Sequence, residues 1–328
     1  MRPVIGVEEH VWTPELRTAL LSDDGSDAVY RRNGHGELNR RLLDVGPERL
    51  ARMDATGVDV QVLSISTPGT QTLPPREAVP LARDANDFLA DAVQRQPSRY
   101  AAFATLPMTD PHAAAAELER AVNRLGFAGA MIFPRAGGAF VDGDAFRPVF
   151  DATAELGVPL YLHPAVPPRP ITDALYGGFD TPTATRLATA GWGWHAEAGL
   201  AALRLILSGL FDRHPRLQLI LGHWGEMLVP FADRADLLSE DATHLERRVL
   251  GYVTGNLNVT AGGILSHRML RQAVDVLGPD RVMFAADTPF APDADARAFV
   301  DGAPLSALDK AKFAHVNAEH LLGLKIPG

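Results

Sequence analysis

The sequence predicts a (β/α)8 barrel, the TIM-barrel class, with loop insertions after strands one and five. Three observations predict it. Eight short apolar runs of strand character alternate with segments of helical period along the whole chain. The 328 residues suit one large α/β domain over 1–328, and neither an internal repeat nor a composition shift marks a second. No glycine-rich phosphate loop follows the first strand, which argues against the doubly wound sheet.

The first strand is Val4-Ile5-Gly6-Val7, running into Glu8-Glu9-His10. Side chains alternate on a strand, so Glu8 and His10 face one way and Glu9 the other. A polar, irregular stretch from Thr13 to about Gly46, with perhaps one short helix, reads as the first insertion. Pro47 starts a helix that Gly57 stops. Val58–Ser64 alternates as strand two, and Pro74-Pro75 opens a long helix to about Arg95. Tyr100–Ala104 is strand three. Asp110-Pro111 pairs an N-cap with a first-turn proline, and the helix runs to Leu125. Gly129–Phe133 is strand four, followed by a helix near Ala145–Glu155. Pro159–His163 is strand five. The Pro- and Gly-rich segment 164–193 has the length of a functional loop. A helix over His195–Phe211 leads to strand six, Leu217–Leu221, then Gly222-His223 and a helix from Glu226 to about Ser239. Leu257–Val259, the weakest strand signal, is strand seven. A helix spans Ser266–Leu277, and Arg281–Phe284 is strand eight, ending Ala285-Ala286-Asp287. Helices near Asp293–Val300 and Ala307–Leu322 complete the chain.

Composition excludes several functions. Counting 31 basic against 40 acidic side chains leaves a net charge of −9, so no positive footprint serves nucleic acid or an anionic membrane. Cysteine is absent, so disulfides and thiolate metal sites are out and any metal must be held by His, Asp and Glu. No apolar run is long enough to span a bilayer, and Glu8 comes too early for a signal peptide; a cytoplasmic enzyme is expected.

The C-terminal ends of barrel strands form the active face. Glu8 and His10 end strand one, His163 ends strand five, His223 follows strand six and Asp287 follows strand eight. Imidazoles and carboxylates converging on one rim suit a divalent ion such as Zn²⁺ or Mn²⁺. The other histidines, His35, His112, His195, His214, His244, His267, His315 and His320, fall in loops or on helices and are read as surface or capping residues. Glu226, three residues after His223, is placed to orient its ring, or else to serve as a helix N-terminal charge.

These motifs resemble the amidohydrolase superfamily, in the decarboxylase-like branch that includes the γ-resorcylate and aminocarboxymuconate-semialdehyde decarboxylases. The carrying segments are Glu8-Glu9-His10, Tyr161-Leu162-His163-Pro164, Ser208–Leu217, Ile220–Glu226 and Arg281–Phe290. The resemblance implies a metal held by Glu8, His10, His163 and Asp287, an acid/base group at His223, and an active-site arginine at Arg234. Dinuclear relatives carry a lysine at the end of strand four; Phe133-Pro134-Arg135 stands here, so one ion is expected. Homodimers or homotetramers are implied. Thr288, Ala291 and Ala165 depart from the pattern around the pocket, and Arg135 is an additional candidate to hold a substrate carboxylate. Phe290, Trp12 and Trp192 are candidate pocket walls.

Two activities follow. The first is non-oxidative decarboxylation of a hydroxylated aromatic carboxylic acid, with Asp287 or His223 protonating the ring carbon. The second is hydrolysis of a lactone or amide by a metal-activated water, with Asp287 as base. A non-catalytic scaffold would not need an intact rim. A carboxylate at Glu8, where many hydrolases of the superfamily have histidine, weakens the metal as a Lewis acid and favours decarboxylation.

Overall fold

Strand β1 (Ile5–Val11) is buried along its whole length, because neighbours cover both of its edges. The computed structural model describes residues 3–22, 33–292 and 295–325. In it β1 pairs in parallel with β2 (Val60–Ile65), and β2 with the first half of β3 (Tyr100–Ala102). The chain changes partner at Phe103: its N–H donates to Leu63 O, while Ala104 N–H donates to Gly129 O, both at 2.9 Å. The second half of β3 (Ala104–Thr105) then pairs with β4 (Ala130–Ile132). Strands β5 (Leu160–Leu162), β6 (Leu219–Leu221), β7 (Leu257–Thr260) and β8 (Val282–Met283) follow in register. The chain leaving β8 returns to β1. Val7 N–H donates to Phe284 O at 3.1 Å, Asp287 N–H to Glu8 O at 3.0 Å, and His10 N–H to Thr288 O at 2.6 Å. These bonds close the barrel and carry Asp287 to the mouth beside Glu8.

The register between β1 and β2 shifts between Gly6 and Glu9. Below that irregularity Ile5 and Val7 join the apolar barrel interior with Val62, Phe103, Met131, Tyr161 and Ile220. Above it Glu8 and His10 face inward, so the bulge re-aims the strand and puts two polar side chains on top of an apolar plug.

The insertions differ from expectation. Segment 164–193 contains two helices, Arg169–Tyr176 and Thr181–Ala188, each with proline in its first turn and the second capped by Asp180. Proline in a helix's first turn is compatible with helix, so proline content alone does not mark a loop. The insertion after β1 carries helices Pro14–Ser22 and Gly36–Leu42; residues 23–32, Gly25 among them, lie outside the described residues, as does Asp293. A helix at Val249–Asn256 was not expected. The helix expected over His195–Phe211 spans Gly193–Leu207, turns at Gly209, and resumes over Leu210–Arg213. The last helix is interrupted by a π turn at Lys312–Val316. Among the described residues no helix is long and apolar enough to cross a membrane.

Candidate metal centre and active site

Three elements bring the rim residues together. Glu8 and His10 come from β1, His163 from the residue after β5, and Asp287 from the loop that hydrogen-bonds back to β1. Glu8 is fully buried. Its Oε2 accepts from the Tyr161 hydroxyl and from Thr260 Oγ1 at 3.1 Å. Its Oε1 has no hydrogen-bond partner and lies 3.1 Å from His163 Nε2 and 3.7 Å from His10 Nε2. His10 Nε2 is likewise buried without a partner, 3.3 Å from Asp287 Oδ1. The His163 tautomer follows from Pro164 O, 2.7 Å from Nδ1. A carbonyl only accepts, so Nδ1 carries the proton and the Nε2 lone pair faces the centre.

Two carboxylates and two imidazoles thus converge with orphaned atoms at their focus. Buried polar atoms are rarely left unpaired, and this N/O donor set is what a divalent cation uses. The residues fit the group.

The electrostatics agree. Burial alone would raise the Glu8 carboxyl, but the charge of His223 and the contacts with His10 and His163 hold it well below the usual carboxylate range. Burial would lower His10, yet Asp287 and Glu8 raise it to about 9. Burial lowers His163. Without a cation, protons on the imidazoles balance the carboxylates; a metal takes their place.

His223 follows β6, and here the structure overturns an expectation. No helix starts at Glu226. His223, Trp224, Gly225, Glu226 and Met227 all have positive φ, from 48° to 96°, and one-turn helices begin only at Val229. Left-handed conformation costs roughly 1–2 kcal/mol per non-glycine residue, so tertiary bonds must hold the turn. Trp224 N–H donates to Thr260 O at 2.9 Å and its indole N–H to Ile264 O at 2.7 Å. The helix Gly193–Leu207 presses on the turn at Gly199, where a Cβ would overlap Glu226 O. The turn brings Glu226 Oε1 within 2.6 Å of His223 Nδ1. His223 Nε2 therefore faces the centre, 3.7 Å from Glu8 Oε1 and 4.0 Å from Asp287 Oδ2. Glu226 is wholly buried and is not an exposed helix-end charge.

Above this floor opens a cavity of about 270 Å³, near the small end of ligand pockets. His163, His223 and Asp287 form its base, Thr67, Phe290, Trp194 and Ile264 its walls, and Arg186 is its one lining arginine among the described residues. Phe290 packs edge-on against His10, 5.5 Å between centroids.

The pattern of the amidohydrolase family matches residues 10–324. The chain belongs to the amidohydrolase family. Among its relatives is the γ-resorcylate decarboxylase of Rhizobium radiobacter, 36% identical over 336 residues, which cover 99% of each chain. The crystal structure of 5-carboxyvanillate decarboxylase from Sphingomonas paucimobilis superposes with a TM-score of 0.91 at 35% identity, covering 99% of this chain and 100% of that one. The corresponding enzyme of Novosphingobium aromaticivorans, complexed with manganese and 4-hydroxy-3-methoxy-5-nitrobenzoic acid, superposes at 0.90 with 34% identity, covering 98% and 96%.

Within this amidohydrolase the structure relocates four expected residues. Trp12 is fully buried in the core and does not line the cavity. Trp192 is exposed and does not line it either. Arg135 lies beside a separate hollow, ion-paired with Glu197 and stacked on Phe140, 3.5 Å from the ring centroid. Arg234 is exposed on the one-turn helix Ala232–Ala235 and is absent from the cavity lining. Conversely, His195, read as a surface or capping residue, lines the cavity and lies 2.7 Å from Glu226 Oε2. It had a signal: helix starts that follow barrel strands lie at the active face, and His195 sits in such a first turn.

Glu9 faces away from the cavity but acts on it. Its Oε1 accepts from Ala286 N–H at 2.8 Å and its Oε2 from Thr288 N–H at 3.2 Å. These two residues flank Asp287, whose own φ is +54°, so Glu9 clamps a strained segment. Gln61 Nε2 donates to Glu9 Oε2 at 3.3 Å, and the buried Arg49 donates to Gln61 Oε1 at 2.6 Å.

Proposed function

We propose that this protein is a metal-dependent, non-oxidative decarboxylase of a hydroxylated aromatic carboxylic acid. The observation that carries the reading is the convergence of Glu8 Oε1 and His10 Nε2, both buried and unpartnered, under a cavity sized for one substituted ring. The named activities of its relatives support it. We assign one divalent ion, Mn²⁺ or Zn²⁺, to Glu8, His10, His163 and Asp287; Phe133 and Pro134 stand where a bridging lysine would be needed for a second. When bound, that ion would supply a positive centre for the anionic end of the substrate.

The chain's residues do the rest. Phe290 and Ile264 wall the ring, and Arg186 at the mouth draws the anion in. Asp287 delivers a proton to the ring carbon that bears the carboxylate. The carbon–carbon bond then breaks, its electron pair restores aromaticity, and carbon dioxide leaves. His223, its Nδ1–H donated to Glu226 and its second proton on Nε2, passes the Nε2 proton to Asp287 and takes another from solvent. Turnover in D₂O with a panel of hydroxybenzoates is expected to place deuterium at the decarboxylated carbon, and Asp287→Asn to abolish it. Opening of a lactone or amide with ¹⁸O uptake from labelled water, with no carbon dioxide from any acid, would give the hydrolase reading instead.

In this reading the active form is a homodimer or homotetramer and the location is cytoplasmic. Leu175, Phe179 and Trp192 of the second insertion, and Phe231 and Leu237 beside Arg234, expose large apolar side chains that a second copy would cover. Arg234 then reaches a partner's site. Arg234→Ala is expected to lower turnover with sedimentation unchanged; a monomeric wild type with full activity refutes this.

A further inference from the structure

The carboxylate of Glu226 lies between two imidazoles. His223 Nδ1 is 2.6 Å from Oε1 and His195 Nδ1 is 2.7 Å from Oε2, and the two rings meet edge to face with centroids 4.5 Å apart. The Glu226 side of His195 fixes where its proton lies. An ionised carboxylate oxygen only accepts, so at 2.7 Å from Oε2 the Nδ1 carries the proton, while Nε2 meets both the indole N–H of Trp194 at 3.0 Å and Ala190 O at 3.3 Å. Glu226 is wholly buried, and each of its oxygens has one imidazole N–H. Removing His195 would leave one oxygen of a buried carboxylate without its donor. That carboxylate would then rotate or take up a proton, and the His223 ring would lose its fixed orientation.

We propose that His195 is a positioning residue for catalysis: it locks Glu226 so that His223 keeps its Nδ1–H on that carboxylate and presents Nε2 to Asp287 at the centre. This rests on the decarboxylase reading for its kinetic consequence, but not for the lock itself. A lock of this kind acts on the rate of the proton step and not on substrate capture. It also predicts which substitutes work. The Nδ2 of asparagine matches the Nδ1 position of histidine, whereas the amide nitrogen of glutamine matches Nε2.

The test compares His195→Ala, His195→Asn and His195→Gln in the manganese- or zinc-loaded protein. His195→Ala and His195→Gln are expected to lose roughly 10–100-fold in kcat, with KM and bound metal unchanged, and His195→Asn to stay within a few-fold of wild type. The second readout needs no substrate. In the zinc-loaded protein, ¹⁵N-histidine NMR is expected to show a slowly exchanging His223 Nδ1–H in wild type and His195→Asn, and a rapidly exchanging one in His195→Ala and His195→Gln. Equal kcat or equal exchange in all four proteins overturns the proposal. So does a uniform loss of metal, which would make His195 a general packing residue. If no acid is decarboxylated by the wild type, the functional reading fails, and the exchange data still decide the lock.

Discussion

Replacing Glu9 by glutamine separates what this side chain costs from what it does. Burial raises its carboxyl to about 7, against the hydrogen bonds from Ala286 and Thr288 that favour the charged form. A folded pKa above the ordinary 4.5 means that the native state binds the extra proton. Stability is therefore highest below about pH 4.5 and falls as pH rises through 7. The gap of about 2.5 pH units corresponds to about 3 kcal/mol, fully lost by pH 8. Glutamine removes the charge, but its single oxygen satisfies only one of the two backbone N–H groups, at a cost of about 1–3 kcal/mol. The two effects nearly cancel at pH 8, whereas at pH 5 only the second remains. Metal-free Glu9→Gln is therefore expected to unfold in urea at a clearly lower midpoint than wild type at pH 5 and at a similar midpoint at pH 8. In the same variant, Asp287 loses one of its flanking restraints, and metal affinity should fall roughly 10–100-fold. A midpoint difference independent of pH would show that Glu9 is not the titrating group. Unchanged metal affinity would show that the Ala286–Thr288 segment holds Asp287 without it.

Two further outcomes follow from the same geometry. His10, raised to about 9 in the metal-free protein, must lose its proton to become a ligand, so metal uptake at pH 7–8 should release a proton and affinity should climb with pH up to about 9. Calorimetric titration in two buffers of different ionisation enthalpy reads the release, and identical heats would refute it. Gly222→Ala would set a Cβ 2.9 Å from Glu8 Oε2 and 3.0 Å from both Glu226 Oε1 and the Tyr161 hydroxyl. Metal affinity and kcat should both fall at least about 10-fold in a folded protein, and wild-type values of either would show that these three groups yield freely.

What could be read from the sequence divides along a physical line. The barrel follows from local alternation and helix punctuation, and so does the shared face of Glu8 and His10. Strand period sets which side chains share a face before any tertiary contact exists, whereas the irregularity between Gly6 and Glu9 that turns this face inward has no local signal. The turn at 223–227 could not be read this way. Glu226-Met227-Leu228-Val229 has helix-forming composition, and Glu226 and Met227 are left-handed only because Thr260 and Ile264, from a different strand and loop, take the Trp224 N–H groups. Arg135 is similar: its charge looked free for a substrate, and it is spent on Glu197, 62 residues away. His195 is the converse case. It belongs to no motif and acquires its place from a carboxylate 31 residues later. Groups aimed by the backbone period carry the chemistry common to the family, whereas groups aimed by a distant partner adjust it. Substitutions at His195, Glu9 and Arg186 should therefore change rate, metal retention and substrate range, respectively, while leaving the barrel folded.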